Sequence, residues 1–599
     1  MNLVSSLIKN QIAEAILLEF NVEAKDITLE NYKGENFGHF STSISFELSK
    51  TLKKSPIQIA QILSENLEKN IIFEKVVNIN GFLNFYLSID FIIKNLTNNL
   101  NEKNFGKGTL YKDKKIVVEY TDTNPFKQFH IGHFMTNSIG ESVFRLVSSQ
   151  SAKAINVCYS GDVGIHVAKC IYSILDKIEA INYSLEDFLS LNNEKTIEEL
   201  NSSYVEGSKF YESDKHKENI QQLNSLIFQI SQKFPKEQGI KVINNYKGDF
   251  EKMYDKEIVE KIYDKGLQES KINFNKIYEK LGTNFANQIF ESTTSEIGAA
   301  AVYNSPIFEK SEGAIIWDGK KYDRNVQVLI NSKGNPTYTT KDIGLNIMKE
   351  NTYQPDISII LTAREQEFYF KDLIEIFKQL GFKSNTRHIP HGEFRNKGGK
   401  MSSRTGDIVT MDEIIQQIKQ EIIINFSSKK DQEFLESVSE KVAISCLKYL
   451  ILKNSLGSNI IYDPKSVSEL TGNTGAYLLY TYARINSILS KAGSFDFDEN
   501  KINTSLISST EAELLVKCLM FNEVVNKAAQ ELSPVDIATY IYDLAKTFNF
   551  FYTENKILIS KDSQDSESIR DLRLMICLLV KEITNQSLYL LGIESLESL

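Results

Sequence analysis

At 599 residues, 42% hydrophobic and 24% charged with only 9 prolines, the chain has the make-up of a folded multidomain protein, which excludes a fibrous or disordered one. Its 68 Lys+Arg against 78 Asp+Glu leave a net charge of −10, which weighs against a uniformly basic nucleic-acid binder but leaves room for local basic patches. Five cysteines (Cys158, Cys170, Cys446, Cys518, Cys577) stand singly, which argues against a disulfide framework and a Cys-x-x-Cys zinc site and predicts free, buried thiols.

In chain order, Leu3 to Phe20 is broken by Lys9, Asn10, Gln11 and Glu14, so it reads as a helix with an apolar stripe (Val4, Leu7, Ile8, Ala15). It is neither a signal-peptide core nor a membrane span, and a cytoplasmic protein without a membrane partner is expected. With the turn-like run Lys33 to His39, residues 1–95 read as a small α+β domain. The β-branched run Ile116 to Tyr120 predicts a strand, followed by polar turn residues and a helix opening at His130. A second run, Ala154 to Tyr159, ends in Ser160-Gly161-Asp162-Val163-Gly164, and a third, Ile357 to Leu361, ends in Thr362-Ala363-Arg364. Strands alternating with helices predict an α/β catalytic domain over 96–465, a doubly wound parallel sheet of Rossmann type with ligands beyond its carboxyl edge. Between the runs, 175–285 turns polar and helical, with Ile220, Leu223, Ile227, Ile230 and Phe234 at spacings of three and four, and predicts a helical insertion. Residues 466–599 read as an all-α bundle, with Ser533-Pro534 and Asp536 forming a helix cap.

Two short motifs carry chemistry. His130-Ile131-Gly132-His133 stands where a strand's loop meets a helix, so imidazoles, helix N-terminus and a glycine can together receive phosphate oxygens. Alone, it reads equally well as a structural histidine pair. Lys400-Met401-Ser402-Ser403-Arg404 follows Lys397-Gly398-Gly399, and a mobile cationic loop at 397–406 can neutralise charge developing on a departing pyrophosphate. Alone, it is more simply a solvated basic turn.

Together the motifs resemble the paired signatures of class I aminoacyl-tRNA synthetases, and nearly the whole chain resembles the arginyl-tRNA synthetases. Glu119 to Gly140 is similar to that family's strand, Asn-containing loop and signature helix; Gly161-Asp162-Val163-Gly164 matches its Gly-Asp-x-Gly turn. Pro336 to Gly344 matches the segment supplying an amino-acid-binding tyrosine and aspartate, and Asn473 to Tyr477 with Tyr482 to Ile485 opens a similar C-terminal tRNA-binding bundle, closed by Leu591-Gly592-Ile593. Gly38 to Thr42 resembles the part of the family's N-terminal domain that docks on the tRNA elbow.

The resemblance implies ATP-dependent aminoacylation of tRNA(Arg) through an arginyl-adenylate, releasing AMP and pyrophosphate, with Mg2+ accompanying ATP and no zinc. It implies phosphate handling by His130, Gly132, His133, Lys127, Lys400, Met401 and Ser402, and binding of the arginine α-amino group by Asn124 and Gln366, although Glu365 fits the second position as well. It also implies that tRNA must bind before arginine is activated, and a monomer is expected. Residue chemistry supports arginine independently: Tyr338 and Asp342, four apart, share a helix face suited to a guanidinium, and Glu119 offers a second carboxylate at a strand end.

Two departures stand out. Ser403 and Thr405 replace lysines expected in the mobile loop, and Lys127 is positioned to compensate. Asp122-Thr123 stands where Ser-Pro or Ser-Ala is usual, adding a carboxylate. A synthetase for another amino acid would lack a reason for Tyr338, Asp342 and Glu119, and a non-catalytic RNA-binding paralogue would have lost His130, His133 or Lys400. For tRNA, Lys491, Lys517, Lys527, Lys546 and Lys556 are expected to make the C-terminal bundle locally positive.

Overall fold

The computed structural model describes residues 3–24, 26–31, 38–180, 183–231, 255–332, 334–396, 399–400, 410–426, 431–493, 495, 497–559 and 563–599. Met401, Ser402, Ser403, Thr405 and Phe234 therefore lie outside the described residues, as does the side chain of Lys400. The chain forms two compact units, one of residues 1–110, 149–151 and 470–599, the other of 111–148 and 152–469.

The first unit begins with α1 (Val4–Phe20), β1 (Glu30–Asn31), β2 (Phe40–Thr42), α2 (Ile44–Leu52), α3 (Pro56–Leu67), β3 (Phe73–Ile79), β4 (Phe82–Leu87) and α4 (Ile89–Asn101). The four strands pair antiparallel in the order β1-β2-β4-β3. The segment expected to face tRNA is partly consumed by this sheet. His39 accepts the Leu87 N–H at 3.0 Å through Nδ1, and burial lowers its pKa to about 4; the Thr42 hydroxyl donates to Thr28 O at 2.7 Å.

The second unit is built on five parallel strands: β5 (Lys115–Glu119), β6 (Lys153–Ser160), β7 (Asn287–Phe290), β11 (Ile357–Ala363) and β12 (Asn385–His391), in the order β12-β11-β5-β6-β7. The three sequence runs are its central strands; β7 and β12 complete it. Because β6 lies on one side of β5 and β11 on the other, the chain reverses direction across β5, and its carboxyl end is where such a sheet opens a binding crevice. Between β5 and β6 runs α5 (Ile131–Ser149). Between β6 and β7 come α6 (Ile165–Glu179), α7 (Leu185–Ser190), α8 (Asn193–Phe210), α9 (Asp214–Ser231) and α10 (Lys256–Lys280). Ile220, Leu223, Ile227 and Ile230 are buried in one core with Val167, Ile171 and Ile262, so the insertion's stripe packs as its spacing predicts.

After β7, α11 (Glu291–Asn304) leads to a small antiparallel sheet of β8 (Glu309–Ser311), β9 (Ala314–Trp317) and β10 (Gln327–Ile330), then to α12 (Tyr338–Tyr353). Helices α11 and α12 cross at backbone contact: a Cβ on Gly298 would sit 1.8 Å from Thr340 O, and one on Gly344 2.0 Å from Thr294 O. Only glycine permits that approach, which seats Glu291 against Lys341. Helix α13 (Glu367–Gln379) joins β11 to β12. A three-stranded sheet follows from β13 (Phe394–Asn396), β14 (Gly399–Lys400) and β15 (Ile460–Tyr462), with α14 (Met411–Phe426), α15 (Gln432–Leu452) and α16 (Pro464–Val467).

The first unit resumes as the bundle α17 (Gly475–Ala492), α18 (Ser509–Glu531), α19 (Pro534–Glu554) and α20 (Gln564–Leu590). The start of α1 is held to it by the Glu523 carboxylate, which accepts Ser5 N–H at 2.9 Å and Ser5 O–H at 2.8 Å. The cap expected at Ser533 does not form. Its side chain makes no capping bond, Pro534 starts the helix, and Asp536 is drawn 2.8 Å from Lys527; capping boxes form instead at Ser508 with Glu511 and at Ser563 with Ser566. Likewise, Lys517 pairs with Glu513 and Asp543 and Lys527 with Asp536, so two of the five expected cations are locally cancelled, while Lys491, Lys546 and Lys556 are exposed. All five cysteines are buried and outside any disulfide. Among the described residues no helix is long and apolar enough to cross a membrane, and no group of three or more His, Cys, Asp or Glu side chains is placed to hold a metal ion.

Candidate active site

The crevice at the carboxyl edge of β5 has two chemically opposite ends. One begins at the entry to α5. His130 occupies the N-cap position: its Nδ1 accepts the N–H of Gly132 at 3.1 Å and of His133 at 3.4 Å, while His133 Nδ1 accepts the His130 N–H at 3.3 Å. The two histidines thus form a reciprocal cap in place of Ser and Glu. Gly132 is needed because a Cβ there would meet the His130 ring at 3.0 Å. The rings stack 3.7 Å apart. Burial and nearby Lys127 hold the His130 pKa at about 4, and burial, His130 and Lys127 hold His133 well below the usual range. Both imidazoles are neutral at pH 7, and with Nδ1 occupied as acceptor each carries its proton on Nε2, as a donor. The Asn124 amide nitrogen lies 3.4 Å from His133 Nε2.

Lys127 follows the same loop and rests with Nζ 4.9 Å from the centre of the Tyr204 ring, a residue of α8. Its charge reaches His130, His133 and His166. Lys400 lies in β14 opposite Arg395, and Thr410 bridges antiparallel to His130.

The other end is acidic. Glu119 ends β5, buried, with Oε2 2.8 Å from Lys349 Nζ; Lys349 also reaches Ser358 at 3.3 Å. Asp342 accepts the Tyr369 hydroxyl, and burial lifts its pKa to about 7, against the opposing pull of that bond. Tyr338 begins α12 with 70% of its surface exposed, and Lys341 lies 5.2 Å from its ring centre. Tyr338 and Asp342 therefore share a helix face, as their spacing predicts. Gln366 closes a short 3-10 turn after β11 and lies exposed with Arg364 and Glu365, one turn before Tyr369.

Several participants were not singled out from sequence. Glu291, at the start of α11, is paired with Lys341; Lys349 is the partner of Glu119; Tyr159, at the end of β6, bonds Thr294 at 2.8 Å with its ring among the acids; Tyr369 holds Asp342. Lys349 was legible in principle, since 338, 342 and 349 fall on one face of a helix. Asp162 proves structural: it accepts Ser292 N–H and O–H at 2.9 and 2.6 Å and the Tyr263 hydroxyl at 3.1 Å, fastening the Gly161–Gly164 turn to α11 and α10. Thr123 is structural too, bonded to Tyr278 at 2.7 Å and Ser160 at 3.1 Å.

Comparison with known proteins agrees along the full length. The family model "tRNA synthetases class I (R), catalytic domain" matches residues 95–463, between "Arginyl tRNA synthetase N terminal domain" on 2–87 and "DALR anticodon binding domain" on 478–599. An arginine–tRNA ligase of Clostridium botulinum (strain Langeland) is 28% identical over 602 residues, covering 99% of this chain and 100% of its own. One from Clostridium kluyveri is 27% identical over 567 residues, covering 92% and 93%. The fold is shared, at 20% identity and full coverage of both chains, by the arginyl-tRNA synthetases of Thermus thermophilus (TM-score 0.77) and Plasmodium falciparum (TM-score 0.75). With the catalytic match alone spanning more than half the chain, the protein belongs to the arginyl-tRNA synthetase family, class I ligases that use ATP to join arginine to tRNA(Arg).

Proposed function

We propose that the two ends of the crevice divide the reaction between them. Asp342 and Tyr338 take the guanidinium of arginine with Glu119 behind them, and Asn124, with Gln366, takes its α-amino group. The arginine carboxylate then attacks the α-phosphate of ATP. The Nε2–H groups of His130 and His133, the backbone at Gly132, and Lys127 and Lys400 stabilise charge growing on pyrophosphate, with Met401 and Ser402 in the same loop and Mg2+ carried by ATP. No protein nucleophile is required; positioning supplies the catalysis. The observation that supports this reading is the opposition of a buried carboxyl without a cation, Asp342, at one end and neutral imidazoles capping a helix at the other, both at the carboxyl edge of β5.

Residues 96–465 act as the catalytic domain with an insertion at 175–285, while 1–95 and 466–599 hold the tRNA, the latter at its anticodon. In α17 and α19, Arg484 lies 4.9 Å from the Tyr480 ring and 5.1 Å from the Tyr552 ring, a cation and aromatic surface suited to unpaired bases. The enzyme works in the cytoplasm as a monomer and activates arginine only with tRNA bound. ATP–pyrophosphate exchange tests the whole reading: exchange is expected with arginine plus tRNA(Arg), little with arginine alone, and none with lysine. Exchange supported equally by another amino acid would overturn it.

A further inference from the structure

Four carboxylates surround the arginine end, and only two have a cation. Glu119 is paired with Lys349 and Glu291 with Lys341. Asp342 has a phenol, Tyr369, and Asp122 has one backbone N–H, from Tyr159 at 3.2 Å. Among the described residues neither aspartate has a lysine or arginine at ion-pair distance. Asp122 is the residue standing where the family resemblance expects serine. Its carboxylate lies in the loop after β5, pinned by β6, where the charges of Glu119 at the end of β5 and of Asp342 and Lys349 on α12 reach it.

We propose that Asp122 is a second carboxylate for the arginine guanidinium, beside Asp342, and that arginine entry expels a proton that this acidic end otherwise retains. The inference rests on the assignment of Asp342 to the guanidinium. The step is an exchange of cations: one carboxylic O–H breaks, its proton leaves to solvent, and the guanidinium takes its place between two carboxylates. Like charges brought together without a cation cannot both ionise at little cost, so the empty pocket retains a proton. Burial lifts Asp342 to about 7, and burial with the Glu119 and Asp342 charges lifts Asp122 well above the carboxylate range. Of the other titratable neighbours, Glu291 is raised by burial against the opposing pull of Lys341, and the rest do not supply the proton near neutrality. Burial raises the Cys158 thiol and Tyr159 hydroxyl on β6, the Tyr278 hydroxyl on α10 and the Tyr369 hydroxyl on α13, while Lys341 and Lys349 are committed to their glutamates.

The sign follows from which form binds. Arginine needs the deprotonated pair, so its affinity rises with pH by about tenfold per unit up to roughly pH 7 and then levels. The test is calorimetry of arginine binding to the full-length enzyme in buffers of different ionisation enthalpy. The wild-type enzyme is expected to release close to one proton per arginine near pH 6 and almost none near pH 8.5. Asp122→Asn and Asp122→Ser are expected to lose most of that release and flatten the dependence of affinity on pH. No proton release from the wild-type enzyme, or undiminished release from both variants, overturns the proposal without recourse to any unstable protein. Asp342→Ala separates the two levels of inference: undiminished arginine binding by that variant defeats the pocket assignment itself, whereas loss of binding there with undiminished release in Asp122→Asn defeats only the role of Asp122.

Discussion

The histidine end and the acidic end of the crevice are mirror images built by one force. At both, burial suppresses charge: imidazoles are pushed down, carboxyls up. The consequences differ because the partners differ. The histidines spend Nδ1 on each other's backbone, which fixes them as neutral donors before any ligand arrives. The acids are left partly unpaired, so their charge is completed only by a cationic substrate. One end is preorganised in geometry and the other is poised in protonation, and each suits what it meets: a triphosphate whose charge grows during reaction, and a guanidinium whose charge is constant.

Removing an internal counter-ion should break the acidic end most severely. Lys349→Met leaves Glu119 buried without its partner, and a stranded buried charge costs about 3 to 5 kcal/mol, so a large fall in thermal midpoint is expected together with loss of arginine binding. Lys349→Arg, which restores a cation, should recover part of both. An unchanged melting curve for Lys349→Met would show that Glu119 is not ionised there.

At the histidine end the expected effect is smaller and kinetic. Lys127→Ala should slow adenylate formation about tenfold to a hundredfold while ATP affinity changes little, because a charge-assisted contact made mainly in the transition state is worth on the order of 1.5 to 3 kcal/mol. Ser403→Lys in that background should recover part of the loss, since both cations act on the same departing pyrophosphate. Single-turnover adenylate formation at a normal rate in Lys127→Ala would leave the lysine as a partner of Tyr204 only.

The smallest effect should be no effect. Because burial holds His130 at about 4 and His133 well below the usual histidine range, adenylate formation at saturating arginine and ATP should show no step near pH 6.5, where an ordinary histidine loses its proton, and should fall only as pH approaches the low values at which His130 becomes charged. A step at pH 6.5 that disappears in His130→Asn would contradict the neutral-donor account.

What was legible in the sequence was local. Strand-end and helix-start signals pointed to Glu119, His130 and His133, each one turn or loop from a strong periodic run, whereas Asn124, Tyr338 and Asp342 were pointed to by the family resemblance. The apolar stripe of the insertion packed as read. What was not legible depended on distance. Glu291 follows β7, a four-residue strand too short and polar to be recognised, and its meaning comes from Lys341 fifty positions on. His39 was expected in the segment that docks on tRNA, and its ring instead accepts the Leu87 N–H of a strand not yet reached in sequence. Ser533 carried a correct local cap signal that lost to a tertiary pair, Lys527 with Asp536. Two of the bundle's five lysines, Lys517 and Lys527, are cancelled for the same reason: composition counts charges, while surfaces depend on which acids lie beside them.

The division of labour itself is tested most directly by comparing Asp342→Ala and His130→Ala in ATP–pyrophosphate exchange with tRNA(Arg) present. Asp342→Ala is predicted to raise the arginine KM by about 2 to 5 kcal/mol, at least tens of fold, with the ATP KM nearly unchanged. His130→Ala is predicted to lower kcat about a hundredfold to a thousandfold with the arginine KM nearly unchanged. If instead both variants shift the arginine and ATP parameters alike, the two ends do not act separately and the account of the site fails.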